Sequence, residues 1–279
     1  ECNFDLSAIG LDEITHNSAD INVCLKNSSF TQPKEMYKID KNNAFYNRND
    51  VAFFSVINGN TIDIYPNDCK DENLIYESLL NFPLALIFYQ KGFLILHASV
   101  VKYKGKVILF CGPSHSGKST LSNFLSNDGG SLISDDISVL RKSDCSFSVL
   151  PSYRLQKLSD EFIKEIETSS LTYIKSLHNR KRSVYLNSNF DETENNIDIC
   201  FFISEGDCHK IESLSNKSLI EKLLKFSYLS LSPTDYSNVL EMAKSIEFYN
   251  LNILRGFNNL LSFKEYLDTW LINRNNQSI

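Results

Sequence analysis

Along residues 1–70 the apolar positions come in short runs, separated by polar, asparagine-rich stretches. Phe4-Asp5-Leu6 and the segments 21–25 and 51–56 have the apolar, partly β-branched and aromatic character of strands. Asn58-Gly59-Asn60, followed by the alternating segment 61–65, predicts a hairpin closed by an Asn-Gly turn. A β-rich N-terminal region is therefore expected over 1–70. The period then changes. Leu74, Ile75, Leu79, Leu80, Leu86 and Ile87 suggest a mostly buried helix that bridges residues 71–92, kinked or split at Pro83 and stopped at Gly92.

Residues 93–101 read as one strand interrupted only by His97, and Lys104-Gly105 turns the chain into a second strand ending at Cys111. A short helix opens at Lys118 and ends at Gly129-Gly130. The strand 131–134 then delivers Asp135 and Asp136, and the segments 137–140 and 147–150 make another hairpin. Residues 151–155 lead into a helix near 158–167, and a looser stretch reaches Arg180-Lys181-Arg182. Strands follow at 184–186 and 197–203, amphipathic helices at 219–229 and 239–246, and a late strand at 248–253. A helix over 263–272 closes the pattern, with Ser262 as its N-cap. The hairpins rule out purely parallel winding. The expected class is α/β with mixed sheets, and residues 93–279 form the main domain.

Chemistry enters at Gly112-Pro113-Ser114-His115-Ser116-Gly117-Lys118-Ser119. This string fits G-x-x-x-x-G-K-[ST] and has an apolar strand before it and a helix after it, the context a phosphate-binding loop requires. Its glycines let successive N–H groups turn toward phosphate oxygens, and the helix N-terminus adds partial positive charge. Lys118 would reach the β- and γ-phosphates, and the Ser119 hydroxyl would hold Mg²⁺. His115 counts as a backbone contributor first. The adjacent carboxylates Asp135 and Asp136 can divide labour, one ligating Mg²⁺ and the other taking a proton from an attacking hydroxyl. His97, on a strand that pairs with the loop's strand, is expected near Asp135, where it would tune its proton affinity.

Bulk properties narrow the field further. A net charge of −6, with no basic run beyond Arg180-Lys181-Arg182, excludes a broad nucleic-acid surface. The longest apolar run, residues 82–89, is too short to span a bilayer. The seven cysteines are scattered without a C-x-x-C pair, so reduced thiols in a cytoplasmic protein are expected and a zinc site is not. No secretory leader is read at the start. His16, His178 and His209 stand alone and read as ordinary surface or loop residues.

Three strings in order carry a family resemblance: Leu96-His97-Ala98-Ser99-Val100-Val101, the loop through Thr120, and Leu132-Ile133-Ser134-Asp135-Asp136. Together they resemble the core of the HPr kinase/phosphorylase superfamily, which shares its nucleotide-binding fold with the phosphoenolpyruvate carboxykinases. The similarity extends over roughly residues 93–272. It implies a phosphoenolpyruvate carboxykinase-like phosphate-loop core and an ATP- and Mg²⁺-dependent transfer to a hydroxyl. It further implies Asp135 as general base assisted by His97, Asp136 with Ser119 at Mg²⁺, and Arg180 or Arg182 against the transferring phosphate. Two departures argue against HPr as the acceptor. Thr120 stands where true HPr kinases have Glu, and their glycine- and arginine-rich segment is missing. The resemblance then favours the diverse HPr-kinase-like group, some of whose members phosphorylate peptides such as lasso-peptide precursors. A serine of a peptide or protein is the leading acceptor class. A small-molecule kinase and a nucleotide-binding regulatory or assembly module without chemistry stay open as alternatives, and so does assembly into a homo-oligomer.

Overall fold

The computed structural model describes residues 21–26, 33–69, 71–144, 146–165, 171–174, 181–186, 189–229 and 233–277. In chain order the first elements are β1 (Asn22–Leu25), β2 (Tyr37–Lys38), β3 (Asn43–Arg48), β4 (Ala52–Ile57) and β5 (Thr61–Pro66). They form one sheet in the order β1-β5-β4-β3-β2. The β4–β5 turn carries Asn58 and Gly59 with φ of 51° and 68°, the backbone of the expected Asn-Gly hairpin. Phe4-Asp5-Leu6 lies outside the described residues.

Two helices follow, α1 (Glu72–Leu79) and α2 (Phe82–Gln90). The break comes where the sequence placed it, with Pro83 in the first turn of α2, where a missing N–H costs nothing. Asp71 caps α1 by accepting from the Asn73 N–H. Ala85, Leu86 and Ile87 of α2 pack on Phe54, Val56 and Ile64 of the sheet, and the same apolar cluster continues into Ile95, Ile137 and Val139. The β-rich region and the following domain therefore share a core.

The main domain contains β6 (Leu94–Leu96), β7 (Ala98–Tyr103), β8 (Lys106–Cys111), α3 (Lys118–Asn127), β9 (Ser131–Ser134), β10 (Ser138–Lys142), β11 (Phe147–Val149), β12 (Leu155–Ser159) and α4 (Asp160–Glu165). Beyond these come β13 (Leu171–Ile174), β14 (Lys181–Leu186), β15 (Asn195–Asn196), β16 (Ile199–Glu205), β17 (Lys210–Ser213), α5 (Asn216–Phe226), α6 (Pro233–Ser245), β18 (Glu247–Ile253) and α7 (Leu260–Gln277). The sheets are mixed. The largest has the order β17-β18-β16-β8-β7-β9, a second β15-β11-β10-β6, and a third β12-β14-β13. β8 lies between a parallel neighbour, β16, and an antiparallel one, β7. The loop's strand is thus half of a hairpin, as the Lys104-Gly105 turn foretold.

Four expectations change, the first being that the looser stretch before Arg180-Lys181-Arg182 holds strand β13. Residues 93–101 are not one strand: His97 sits where the chain leaves the sheet of β6 and enters the sheet of β7. Residues 155–159 form strand β12 before a helix of six residues, because β14 offers Leu155–Ser159 an antiparallel partner that local propensity could not reveal. The last helix starts at Leu260, directly after a 3₁₀ turn at Phe257–Asn259, so Ser262 lies inside it and bonds back to the Asn259 carbonyl at 3.0 Å.

β8 is buried on both faces. Leu109 and Cys111 join one apolar cluster, and Ile108 and Phe110 join another under α3 and α7. Cys111 and Cys200 are buried there with their sulfurs 3.7 Å apart as free thiols. No described helix is long and apolar enough to cross a membrane. Leu109 is fully buried at the middle of the loop's strand. Leu109→Ala is therefore expected to cost about 2–5 kcal/mol in denaturant unfolding. A loss below about 1 kcal/mol would mean that β8 is not the packed centre described here.

Candidate functional site

At the end of β8 the chain turns over the strand and enters α3 through Gly112 to Ser119. Gly112 is required by space: a Cβ there would meet the Ser116 Oγ at 2.6 Å. Gly117, at φ 96°, caps α3 with left-handed backbone and no side chain, so the helix N-terminus is presented bare. His115 is also left-handed, at φ 66°, an uncommon conformation for a side-chain-bearing residue. Lys118 is nearly buried, and its Nζ donates to the carbonyls of Gly112 at 2.9 Å and Pro113 at 3.0 Å. The Ser116 hydroxyl is buried with no hydrogen-bond partner among the described residues. A buried donor of that kind costs free energy until a ligand meets it.

The loop leads to Asp135. β9 delivers this carboxylate to a place where it is 2% exposed. Three donors from three different elements hold it. Ser119 Oγ on α3 lies 2.9 Å from Oδ1, the Lys157 backbone N–H on β12 lies 3.2 Å from Oδ2, and the Ser99 hydroxyl on β7 makes a short bond to Oδ1. Burial raises the pKa of Asp135, the neighbouring Asp136 charge adds to the rise, and the three hydrogen bonds only partly offset it.

Asp136 turns the other way, with left-handed backbone at φ 67°. Its carboxylate accepts from Lys157 Nζ at 2.7 Å and lies 3.2 Å from His97 Nδ1. The same His97 nitrogen is 3.0 Å from the Asp136 carbonyl. Both neighbours accept, so Nδ1 carries the ring proton. Burial alone would raise the Asp136 pKa, but the His97 hydrogen bond and the Lys157 charge outweigh it and hold the carboxyl far below the usual range. His97 therefore meets Asp136, not Asp135 as expected. The chain reverses at Asp136, which brings that residue's carbonyl and carboxylate together onto the ring.

The expected metal pair, Ser119 and Asp136, is not the hydrogen-bonded pair; the Ser119 partner is Asp135. Ser119 and the two aspartates supply only oxygen donors, the hard ligands that suit Mg²⁺ together with water and phosphate. No group of three or more His, Cys, Asp or Glu forms a closed metal cage among the described residues. Mg²⁺ does not need one, because it usually takes one or two protein carboxylates.

Beside the loop opens a cavity of about 380 Å³. Residues 115–121, including Thr120, form one wall, and Leu254, Arg255, Gly256 and Phe257 stand on the other. Gly112, Pro113 and Ser114 do not line this cavity. Arg182 is on β14, its backbone opposite Leu158, and Arg180 lies outside the described residues.

Sequence reasoning missed Ser99, Lys157 and the 254–257 wall. Ser99 could have been read, since it follows the singled-out His97 by two residues on a strand. Lys157 carried no signal, because its strand resembled the approach to a helix. Gln156 was also missed. Its buried side chain bonds the Ser119 carbonyl at 3.1 Å, Ser122 at 3.0 Å and Asn123 at 2.9 Å, which fixes β12 to α3.

No protein-family model matches the chain, and no curated protein matches it. Among solved structures it shows a distant likeness to the Hpr(Ser) kinase/phosphatase from Coxiella burnetii, at 10% identity and a TM-score of 0.39. That likeness covers 66% of this chain and 94% of that one. At this identity and score it assigns no activity to the chain.

The opposed aspartates make a stability prediction with a definite sign. Asp135 titrates higher in the folded protein than in the unfolded chain, so the stability tied to it falls as pH rises through the interval between the two. Asp136 titrates lower, so it contributes stability above the ordinary carboxylate range that is lost as pH falls through its lowered pKa. At neutral pH, Asp136→Asn should therefore destabilise the fold by about 1–3 kcal/mol more than Asp135→Asn. Thermal unfolding of the two variants side by side checks this. Equal losses, or the reverse order, would contradict the assignment of opposite shifts.

Proposed function

We propose that this chain is an ATP- and Mg²⁺-dependent phosphotransferase of the HPr-kinase-like type. It moves the γ-phosphoryl group to a hydroxyl, most favourably a serine of a peptide or protein other than HPr. The observation that carries this reading is the Asp135 carboxylate, buried with a raised proton affinity one hydrogen bond from Ser119 of the phosphate loop. A neighbouring pair of carboxyls whose environments push their pKa values apart is the usual mark of divided acid–base roles.

The roles follow from placement. The 380 Å³ cavity holds the nucleotide, with its phosphates over residues 115–119 and its base against the wall at Phe257. The loop amides, the Ser116 hydroxyl and Lys118 bind the phosphate oxygens, Lys118 exchanging the Gly112 and Pro113 carbonyls for them. Ser119 would hold Mg²⁺ together with phosphate oxygens and water, Asp136 reaching it through water, and the ion would neutralise phosphate charge. Asp135, the carboxyl with the higher proton affinity, takes the proton of the acceptor hydroxyl. The new O–P bond forms as the bond from the γ-phosphorus to the bridging oxygen breaks, and ADP leaves with that electron pair. His97 and the Lys157 ammonium keep Asp136 ionised and fixed. Thr120 lies in the nucleotide wall and puts no carboxylate beside Ser119, which supports an acceptor other than HPr. Arg180 and Arg182 are the reserve cations for the transferring group.

Two measurements test this. In equilibrium titration with a fluorescent ATP analogue, Lys118→Ala should weaken binding by about 1.5–3 kcal/mol, the worth of charged hydrogen bonds. Wild-type affinity in that variant would remove the loop from the site. With γ-labelled ATP and serine peptides, Asp135→Asn should keep nucleotide affinity and lose transfer by about 10²–10⁴-fold. Undiminished transfer would refute the base assignment.

A further inference from the structure

A second, far smaller pocket is lined by both aspartates. Leu80 and Asn81, from the junction between α1 and α2, form one wall; Tyr153 and Lys157 form another; Asp135 and Asp136 lie at its base. Its free volume is about 20 Å³, room for one water-sized group. Lys157 also lines the large cavity beside the phosphate loop, so this residue is common to both spaces. We propose that this slot is the acceptor site and that it admits a single hydroxymethyl group. The acceptor is then an unbranched primary alcohol on a chain with no adjoining anion, which a peptide-embedded serine satisfies and a secondary alcohol or an anionic small molecule does not. This inference rests on the phosphotransferase reading and sharpens its acceptor.

Position is the first support. An acceptor hydroxyl must lie against the proton-taking carboxyl and face the γ-phosphoryl group in line. The slot touches both aspartates and shares Lys157 with the nucleotide cavity.

Size is the second. The walls are tied, so the slot cannot widen cheaply. Tyr153 OH donates to the Leu80 carbonyl at 3.1 Å, Lys157 Nζ donates to Asn81 Oδ1 at 3.0 Å, and Asn81 Nδ2 donates to the Glu77 carbonyl at 2.8 Å. A serine CH₂–OH can place its oxygen there while the peptide stays outside. The extra methyl of threonine would have to push against Leu80 or Leu155, and a tyrosine ring cannot enter.

Charge is the third. Glu77 joins Asp135 and Asp136 in the lining, against the single cation Lys157. An acceptor carrying a carboxylate or phosphate beside its hydroxyl would meet like charge at short range. The bridging segment thereby gains a role, because Glu77 of α1 and the α1–α2 junction supply the acceptor-side wall.

The test uses the full chain with Mg²⁺ and γ-labelled ATP. Acceptors are a degenerate peptide library with serine fixed at its centre, the same library with threonine, and glycerate as an anionic primary alcohol. Wild type should phosphorylate the serine library at least about tenfold faster than the threonine library and should not use glycerate. Leu80→Ala should raise the threonine-to-serine ratio several-fold. Leu80→Phe should lose transfer, and with it any acceptor-free ATP hydrolysis, while its affinity for a fluorescent ATP analogue stays at the wild-type value. Equal use of threonine and serine, preference for glycerate, or wild-type transfer or hydrolysis in Leu80→Phe would overturn the proposal. Failure of the underlying reading looks different: wild type binds the analogue but neither transfers phosphate nor hydrolyses ATP, or Lys118→Ala binds it as tightly as wild type.

Discussion

A carboxylate almost wholly removed from water is the constraint around which this structure is arranged. An ionisable group in that position is tolerated only with hydrogen-bond donors fixed around it. Asp135 obtains them from β7, α3 and β12, through Ser99, Ser119 and the Lys157 backbone. Satisfying one side chain therefore fixes the loop helix against two sheets. The residual burial that these bonds do not offset is what raises its proton affinity. Stability is given up there, and a group able to take a proton near the phosphate loop is what results.

The second aspartate shows how neighbours in sequence acquire opposite chemistry. A left-handed backbone at Asp136 sends its carboxylate away from the donors of Asp135 and toward His97 and Lys157. His97 can be there because the chain changes sheets at that residue, which leaves it outside both ladders. Lys157 belongs to the three-stranded sheet, and its Nζ also reaches Asn81 of the N-terminal part. Three sheets and the helical junction thus converge at a single pair of carboxylates. The continuous apolar packing from Phe54 and Leu86 to Ile95 and Val139 holds that convergence in place.

The strand–turn–helix context of residues 107–127 and the Asp pair were legible because each is contiguous in sequence. So were the hairpin into β8 and the helix break at Pro83, which depend on turn chemistry and proline geometry. What stayed hidden depends on partners distant in sequence. Lys157 is a site residue only because β14 draws residues 155–159 into a strand. His97 was found but assigned to the wrong carboxylate, since spacing cannot show that the chain reverses at Asp136. The cavity wall at Leu254 to Phe257 follows the end of β18, and a helix beginning at Leu260 hid it from a reading that started the helix at Phe263. Short-range signals marked the candidate groups; long-range pairing decides which of them touch.

The most direct measurement is a crystal structure of the chain with Mg²⁺ and a non-hydrolysable ATP analogue. The account places the triphosphate over residues 115–119, with the Ser116 and Lys118 side chains on its oxygens. Its terminal phosphate faces Asp135 and Lys157, and its base lies against Phe257. A triphosphate bound elsewhere, or one whose terminal phosphate points away from the aspartates, would contradict it.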